Sequence, residues 1–174
     1  MKNVIGGMKQ SWLKLFLLSL IFLSGSLFVR AQEVKVIKFA ELQALRNNPS
    51  DTLFVMNFWA TWCKPCVKEL PYFEAINTKY KGQPVKVMLV SMDSKKDLQT
   101  KVLPFVKKRN LRSDLYLLDE PDANSWIDKL ELKWSGAIPA TIFFNNQKQL
   151  YRFEEKEFHE AELYGLVDEL NAKK

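Results

Sequence analysis

The chain has 174 residues, of which 47% are hydrophobic and 26% are charged, and it contains six glycines and seven prolines. This composition excludes a disordered or low-complexity chain and suits a single domain with a sizeable core. Two cysteines exclude a disulfide-stapled mini-protein and leave too few thiolates for a four-cysteine zinc site or an iron–sulfur cluster. A single histidine argues against Ser-His-Asp, Cys-His and histidine-rich metal sites.

The net charge of +6 is concentrated at the start of the chain. Residues 1–31 contain four basic residues and no acidic residue, which leaves a surplus of only two basic residues from Gln32 onward. The charge therefore says little about nucleic acid, and we predict no nucleic-acid partner. A charge run such as Lys107-Lys108-Arg109 is interpreted as a solvated face.

Residues 1–31 have the three parts of an export signal. Positive charges up to Lys14 precede an apolar run at 15–23, which Ser24-Gly25-Ser26 ends. Val29-Arg30-Ala31 then supplies compact residues at the positions that precede a cleavage site. The alternative is an uncleaved membrane anchor, but the apolar stretch is shorter than the roughly 20 residues that cross a bilayer.

Either interpretation places residues 32–174 outside the cytoplasm, in the periplasm or an equivalent compartment. Disulfides persist there, and two closely spaced cysteines suit the exchange of a disulfide better than the bracing of a fold. No linker rich in glycine, serine or proline and no internal repeat interrupts this stretch, so it is predicted to form one domain.

Strands and helices alternate along this domain. Apolar runs and alternating patterns predict strands at 34–39, 53–59, 85–90, 138–144 and 150–153. Apolar residues at helical spacing predict helices at 63–80, 95–108, 122–132 and 157–171. This order predicts an α/β fold with a central, mixed but mostly parallel sheet flanked by helices, with an antiparallel hairpin at one edge. Pro71 is expected to kink the first long helix.

The chemistry is predicted where the most buried strand meets that helix, at Cys63-Lys64-Pro65-Cys66. Two intervening residues bring the sulfurs within disulfide range across one helical turn. Cys63 then occupies the helix N-terminus, where unpaired N–H groups and the helix dipole stabilise a thiolate. Pro65 suits the first turn because it has no N–H to lose, and it stiffens the loop. Lys64 either adds a nearby cation or points into solvent.

This arrangement divides the work between the two sulfurs. Cys63 attacks the disulfide of a partner, and Cys66, one turn deeper, attacks Cys63 and releases the reduced partner. Trp62, beside the nucleophile, is predicted to shape a shallow apolar docking surface. The scheme requires no cofactor, and we predict none.

The run from Asn57 to Cys66, followed by Glu69-Leu70-Pro71, resembles the thioredoxin superfamily and is most similar to its exported TlpA- and ResA-like thiol–disulfide oxidoreductases. The resemblance covers residues 34–172. It implies a thioredoxin-like fold with the dithiol at the end of a strand and an extra helix and strand near residues 95–118.

The resemblance also implies roles for individual residues. Ile138-Pro139 stands where the family has a cis-proline facing the dithiol, which would expose the Ile138 backbone to a substrate peptide. Glu69 stands where ResA-like proteins have a glutamate beside the site, able to accept a proton from Cys66. The alternative is a solvated glutamate in the first turn of the helix. Asn57 replaces the titratable aspartate of cytoplasmic thioredoxins, which favours Glu69 as the proton acceptor.

The favoured function is therefore reduction of disulfides in exported proteins, by a protein that we expect to be monomeric. The resemblance suggests apocytochrome c as one partner and a membrane thiol-transfer protein as the electron donor. A carrier of a soft metal such as Cu(I), held by the same two cysteines, is the alternative. A peroxidase on the same fold would need a threonine where Ala60 stands.

Overall fold

The computed structural model describes residues 33–173, which form one six-stranded sheet. The strands are β1 (Val34–Ile37), β2 (Leu53–Trp59), β3 (Val85–Ser91), β4 (Asp114–Leu118), β5 (Ala140–Asn145) and β6 (Leu150–Glu154). They are ordered β1-β4-β3-β2-β5-β6. The first four in this order are parallel, whereas β5 is antiparallel to β2 and β6 to β5. The predicted mixed sheet with an antiparallel edge is confirmed.

Helices cover the sheet and connect its parallel strands. They are α1 (Phe39–Arg46), α2 (Lys64–Lys79), α3 (Leu103–Arg109), α4 (Ile127–Leu130) and α5 (Glu160–Ala172). A 3-10 turn at Lys95–Asp97 and a π-helical turn at Leu98–Val102 lead into α3. With β4 they form the helix and strand expected near residues 95–118, although β4 lies inside the sheet. Helix α2 continues through Pro71.

One helix was not predicted, and one predicted helix is wrong. Helix α1 was absent from the sequence interpretation; its start is stabilised by Glu41, which accepts the Lys38 N–H at 2.9 Å. The helix predicted at 122–132 is reduced to a 3-10 turn at Ala123–Ser125 and the single turn of α4. The conformation of this segment is set by Trp126 and Trp134, which are packed against the sheet at 1% and 3% exposure. It is not set by an apolar stripe along a helix.

The sheet has a hydrophobic core on each face. One core lies under α2, α3 and α5 and includes Phe73 and Val167. The other lies under α1 and the 126–134 segment and includes Phe58. Every residue of β2 is buried because the strand alternates its side chains between the two cores. Both cores are built from residues within 33–173, and residues 32–174 form one compact unit with the hydrophobic core that a domain needs to fold alone.

The export segment predicted for residues 1–31 lies outside the described residues. Within residues 33–173 no helix has the length and apolar character needed to cross a membrane.

Candidate active site

The dithiol sits where β2 ends and α2 begins, and it is present as a disulfide. Cys63 is the capping residue of α2, and Cys66 lies in its first turn. The Cys66 N–H donates a hydrogen bond to the Cys63 Sγ at 3.3 Å. The first turn of the helix therefore directs a backbone donor at the sulfur, which is the arrangement that stabilises a thiolate once the disulfide is reduced.

The two sulfurs differ in their access to solvent. Cys63 is 5% exposed and Cys66 is fully buried. Trp62, directly before the pair, is 66% exposed, and Lys64 is also exposed. Lys64 forms no salt bridge with any residue in the described part of the chain. Cys63 is thus the outer sulfur, next to an exposed aromatic side chain.

A cis peptide bond faces the dithiol. The Ile138–Pro139 bond is cis, as the resemblance implied. The Ile138 carbonyl oxygen lies 3.7 Å from the Cys63 Sγ, a van der Waals contact because a disulfide sulfur carries no proton. The loop before β5 and the start of α2 therefore meet at the outer sulfur, although they are 75 residues apart.

Glu155 holds the loop that leads into this cis bond. Its carboxylate accepts the N–H groups of Ser135 at 3.0 Å and Ala137 at 3.2 Å, together with the Ser135 hydroxyl. Burial alone would raise the pKa of Glu155, but these hydrogen bonds outweigh it and hold the pKa below its ordinary value. The sequence analysis did not identify Glu155.

Glu69 lies in the core beneath the dithiol and is fully buried. The Asn57 Nδ2 donates to one carboxylate oxygen at 3.0 Å, and the Phe158 N–H donates to the other at 2.7 Å. Burial raises the pKa of Glu69 to about 7 despite these two hydrogen bonds, and the nearby Glu157 carboxylate adds to the rise. The alternative of a solvated first-turn glutamate is wrong. Glu69 and Cys66 are three residues apart on α2 and both point into the core.

Asn57 connects three elements beneath the site. Its side chain lies in β2, contacts Glu69 on α2 and donates a second hydrogen bond to the Thr141 hydroxyl on β5 at 3.1 Å. Its Oδ1 is buried and has no hydrogen-bond partner within residues 33–173. Sequence reasoning missed Thr141 and Phe158 because they contact this cluster from 84 and 89 residues away.

Asp93, which the sequence analysis also missed, fixes the loop between β2 and Cys63. Its carboxylate is 2% exposed. It accepts the Thr61 N–H at 2.9 Å, the Thr61 hydroxyl at 2.6 Å and the Ser91 hydroxyl at 2.8 Å. Thr61 lies two residues before Cys63, so this carboxylate sets the path of the chain into the outer cysteine.

We expect Asp93→Ala to lower the free energy of unfolding by about 2–4 kcal/mol, because it leaves the buried Ser91 hydroxyl and the half-buried Thr61 donors without this acceptor. Urea denaturation of the oxidised protein measures this loss. The control is Asp97→Ala, which removes only a surface salt bridge to Lys101 and is expected to cost under about 0.5 kcal/mol. Equal losses in the two variants would contradict the assigned role of Asp93.

Comparison with known proteins identifies the family of this chain. A model of the AhpC/TSA family matches residues 31–152, most of the chain. The chain belongs to the AhpC/TSA family. Its sheet and flanking helices form a thioredoxin-like fold, as the sequence motif implied.

Curated relatives match over a shorter stretch. A thiol-disulfide oxidoreductase ResA of Bacillus cereus is 40% identical over 57 residues, which is 33% of this chain and 31% of the relative. The sporulation thiol-disulfide oxidoreductase A of Bacillus subtilis is 32% identical over 63 residues, 36% of this chain and 38% of the relative. The matched part of this AhpC/TSA protein thus spans about a third of the length of these relatives.

Solved structures agree on the fold. A thioredoxin-related protein from Neisseria meningitidis serogroup B has a TM-score of 0.60 at 20% identity, covering 72% of this chain and 90% of its own. StoA from Bacillus subtilis has a TM-score of 0.52 at 20% identity, with 69% and 85% coverage. A secreted disulfide oxidoreductase from Mycobacterium tuberculosis has a TM-score of 0.53 at 22% identity, with 70% and 84% coverage.

Proposed function

We propose that this AhpC/TSA protein is an extracytoplasmic thiol–disulfide oxidoreductase that reduces disulfides in exported proteins through Cys63 and Cys66. The observation that carries the proposal is Cys63 itself. It caps α2, receives the Cys66 N–H and touches the Ile138 carbonyl beside a cis-proline. The names of the curated relatives support the reaction class, and the export signal predicted for residues 1–31 supports the location.

The reaction begins with both cysteines reduced. The Cys63 thiolate attacks one sulfur of the partner disulfide, which forms a mixed disulfide and expels the other partner sulfur as a thiolate. Cys66 then loses its proton and attacks the Cys63 sulfur. The mixed disulfide breaks, the Cys63–Cys66 disulfide forms, and the second partner sulfur leaves as a thiolate. The partner has gained two electrons, and its two thiolates take up protons from the solvent.

Glu69 is assigned as the acceptor of the Cys66 proton. Both side chains are fully buried, so bulk water does not compete for the proton. A buried carboxylate with a pKa of about 7 is matched to a thiol that must ionise near neutral pH. Asn57 is assigned a positioning role because it donates to the Glu69 carboxylate.

The partner is proposed to dock on the exposed surface around Cys63. Trp62 offers an apolar face, and the backbone at Ile138 and Pro139 offers hydrogen-bonding groups to an extended peptide. An unfolded exported chain such as apocytochrome c meets both requirements. A membrane thiol-transfer protein would return the electrons, and Lys64 and Pro65 would tune the potential.

Equilibration with glutathione tests the direction of electron flow. A reductant is expected near the potential of thioredoxin, about −270 mV, whereas a value near −120 mV would identify a disulfide donor. The same preparation is titrated with Cu(I) and assayed for insulin reduction. Stoichiometric copper binding without insulin reduction would instead support the metal-carrier function. Within residues 33–173, no three His, Cys, Asp or Glu side chains are grouped to hold a metal.

A further inference from the structure

Five exposed cations gather at the end of the sheet opposite the dithiol. They lie in the two connections that lead into β3 and β4. We call this surface the basic end; its members are Lys81, Lys107, Lys108, Arg109 and Arg112. Strands β2, β3 and β4 are parallel. Strands β3 and β4 therefore begin at the end of the sheet opposite to the one where β2 ends and Cys63 lies.

The basic end is held together by contacts between α2 and the loop before β4. The Glu74 carboxylate accepts the Arg112 N–H at 2.7 Å and the Ser113 N–H at 3.0 Å. The Asn77 side chain donates to the Ser113 hydroxyl at 2.8 Å. Leu111, within the same loop, is 2% exposed and anchors it in the core. The cations therefore project from an ordered surface.

The cations of the basic end are not engaged in ion pairs within residues 33–173. Within the described part of the chain, none of its five members forms a salt bridge, whereas Lys86 at the same edge pairs with Asp114 at 2.7 Å. The helix dipole explains a preference for cations in the last turn of α3, but it does not explain Arg112, three residues beyond that helix. The sequence analysis interpreted Lys107-Lys108-Arg109 as a solvated face. It did not predict that Lys81 and Arg112 lie at the same end of the sheet, because that requires knowledge of how the strands pair.

One connection at the opposite end of the sheet is acidic. Residues 119–131, which connect β4 to the loop before β5, contain five carboxylates and one lysine. This connection therefore differs in sign from the basic end.

The basic end is also where the chain enters the domain. Val34 pairs with Leu115, so Glu33 lies at the same edge as Arg112. The predicted export segment precedes Glu33 directly in sequence. The seven residues of β3 span about 20 Å, and the dithiol lies beyond the opposite end of the sheet from the one at which β3 begins.

We propose that the basic end binds the surface of an anionic membrane and so presents the dithiol away from it. The partner is a bilayer rich in anionic phospholipid headgroups. Each lysine close to such a surface strengthens binding by roughly fivefold. The extracytoplasmic location proposed above determines which face of the membrane is bound, and the proposal rests on it for that point alone. It does not depend on the redox activity.

The test uses the compact unit Gln32–Lys174 and cosedimentation with lipid vesicles. One set contains three parts phosphatidylcholine to one part phosphatidylglycerol, and the other contains phosphatidylcholine alone. The triple variant K81Q/K107Q/K108Q removes three charges from the basic end. The matched control K96Q/K129Q/K133Q removes three exposed lysines from the dithiol end, with the same change in net charge.

Binding is expected only to the anionic vesicles and is expected to weaken as salt increases. The basic-end variant should bind about 100-fold more weakly, whereas the control should stay within about twofold of the unmodified protein. Equal losses in both triples, or no binding by the unmodified protein, would overturn the proposal. So would self-association, measured by sedimentation velocity, that the basic-end variant abolishes while vesicle binding persists.

The C63S/C66S double variant separates this proposal from the proposed function. It should bind the anionic vesicles as the unmodified protein does, although it cannot exchange disulfides. Conversely, the basic-end variant should reduce insulin at the normal rate in solution. Loss of vesicle binding in C63S/C66S would also contradict the proposal.

Discussion

Replacement of Cys63 by serine should abolish reduction of a protein disulfide, with a loss in rate of at least about 10³-fold. The reason is that Cys63 is the outer cysteine, at 5% exposure, and that its sulfur touches the cis-proline loop at Ile138. Cys66 is fully buried and cannot meet a partner disulfide first. Insulin reduction with dithiothreitol as the electron source measures the rate.

Replacement of Cys66 by serine should have a different result. The attack by Cys63 still occurs, but nothing resolves the mixed disulfide, so partners accumulate on Cys63. Mass spectrometry of the trapped adducts identifies both the sulfur and the natural substrates. The control is C63S/C66S, which should trap nothing. Adducts on Cys66 in the Cys63→Ser variant would show that the two roles are reversed.

The second large effect concerns the pH dependence of stability. Folding raises the pKa of Glu69 from 4.5 to about 7, mainly through burial. The folded state therefore binds a proton that the unfolded chain has already released, so the free energy of unfolding falls as pH rises between these two values. At 1.36 kcal/mol per pKa unit, the expected fall from this group is about 3 kcal/mol.

Glu69→Gln should remove this fall without a large loss of stability at pH 5. A glutamine retains an oxygen for the Phe158 N–H, and its amide can donate to Asn57 if that side chain turns its unpartnered Oδ1 inward. Urea denaturation of the oxidised protein from pH 4.5 to 8 measures the difference between the two proteins. Glu74→Gln, on the same helix but half-buried, is the control and should retain the fall.

The same variant tests the proton transfer. In Glu69→Gln the release of a trapped partner by Cys66 should slow by about 10²-fold near neutral pH, whereas the first attack by Cys63 should be unchanged. Rapid-mixing measurements of the two steps separate them. An equal slowing of both steps would indicate a structural effect of Glu69 and not proton transfer.

Local patterns in the sequence were sufficient to predict the features of this protein that depend on residues close together in the chain. The apolar run of β2 and the helical spacing of α2 each predict one element, and their junction predicts Cys63 at a helix start. The physical reason is that strand burial, helix periodicity and capping are set within a few residues. The cis bond at Pro139 followed from the family resemblance, since few X-Pro bonds are cis.

Contacts between distant segments were decided only by the tertiary structure. The donors to Glu69 come from Asn57 and Phe158, and those to Asp93 come from Thr61 and Ser91. Burial and the raised pKa of Glu69 follow from how β2, α2 and the loop before α5 close around it, which no local pattern encodes. The same holds for the basic end. Whether the cations of two separate connections lie on one surface depends on strand order, which long-range pairing determines.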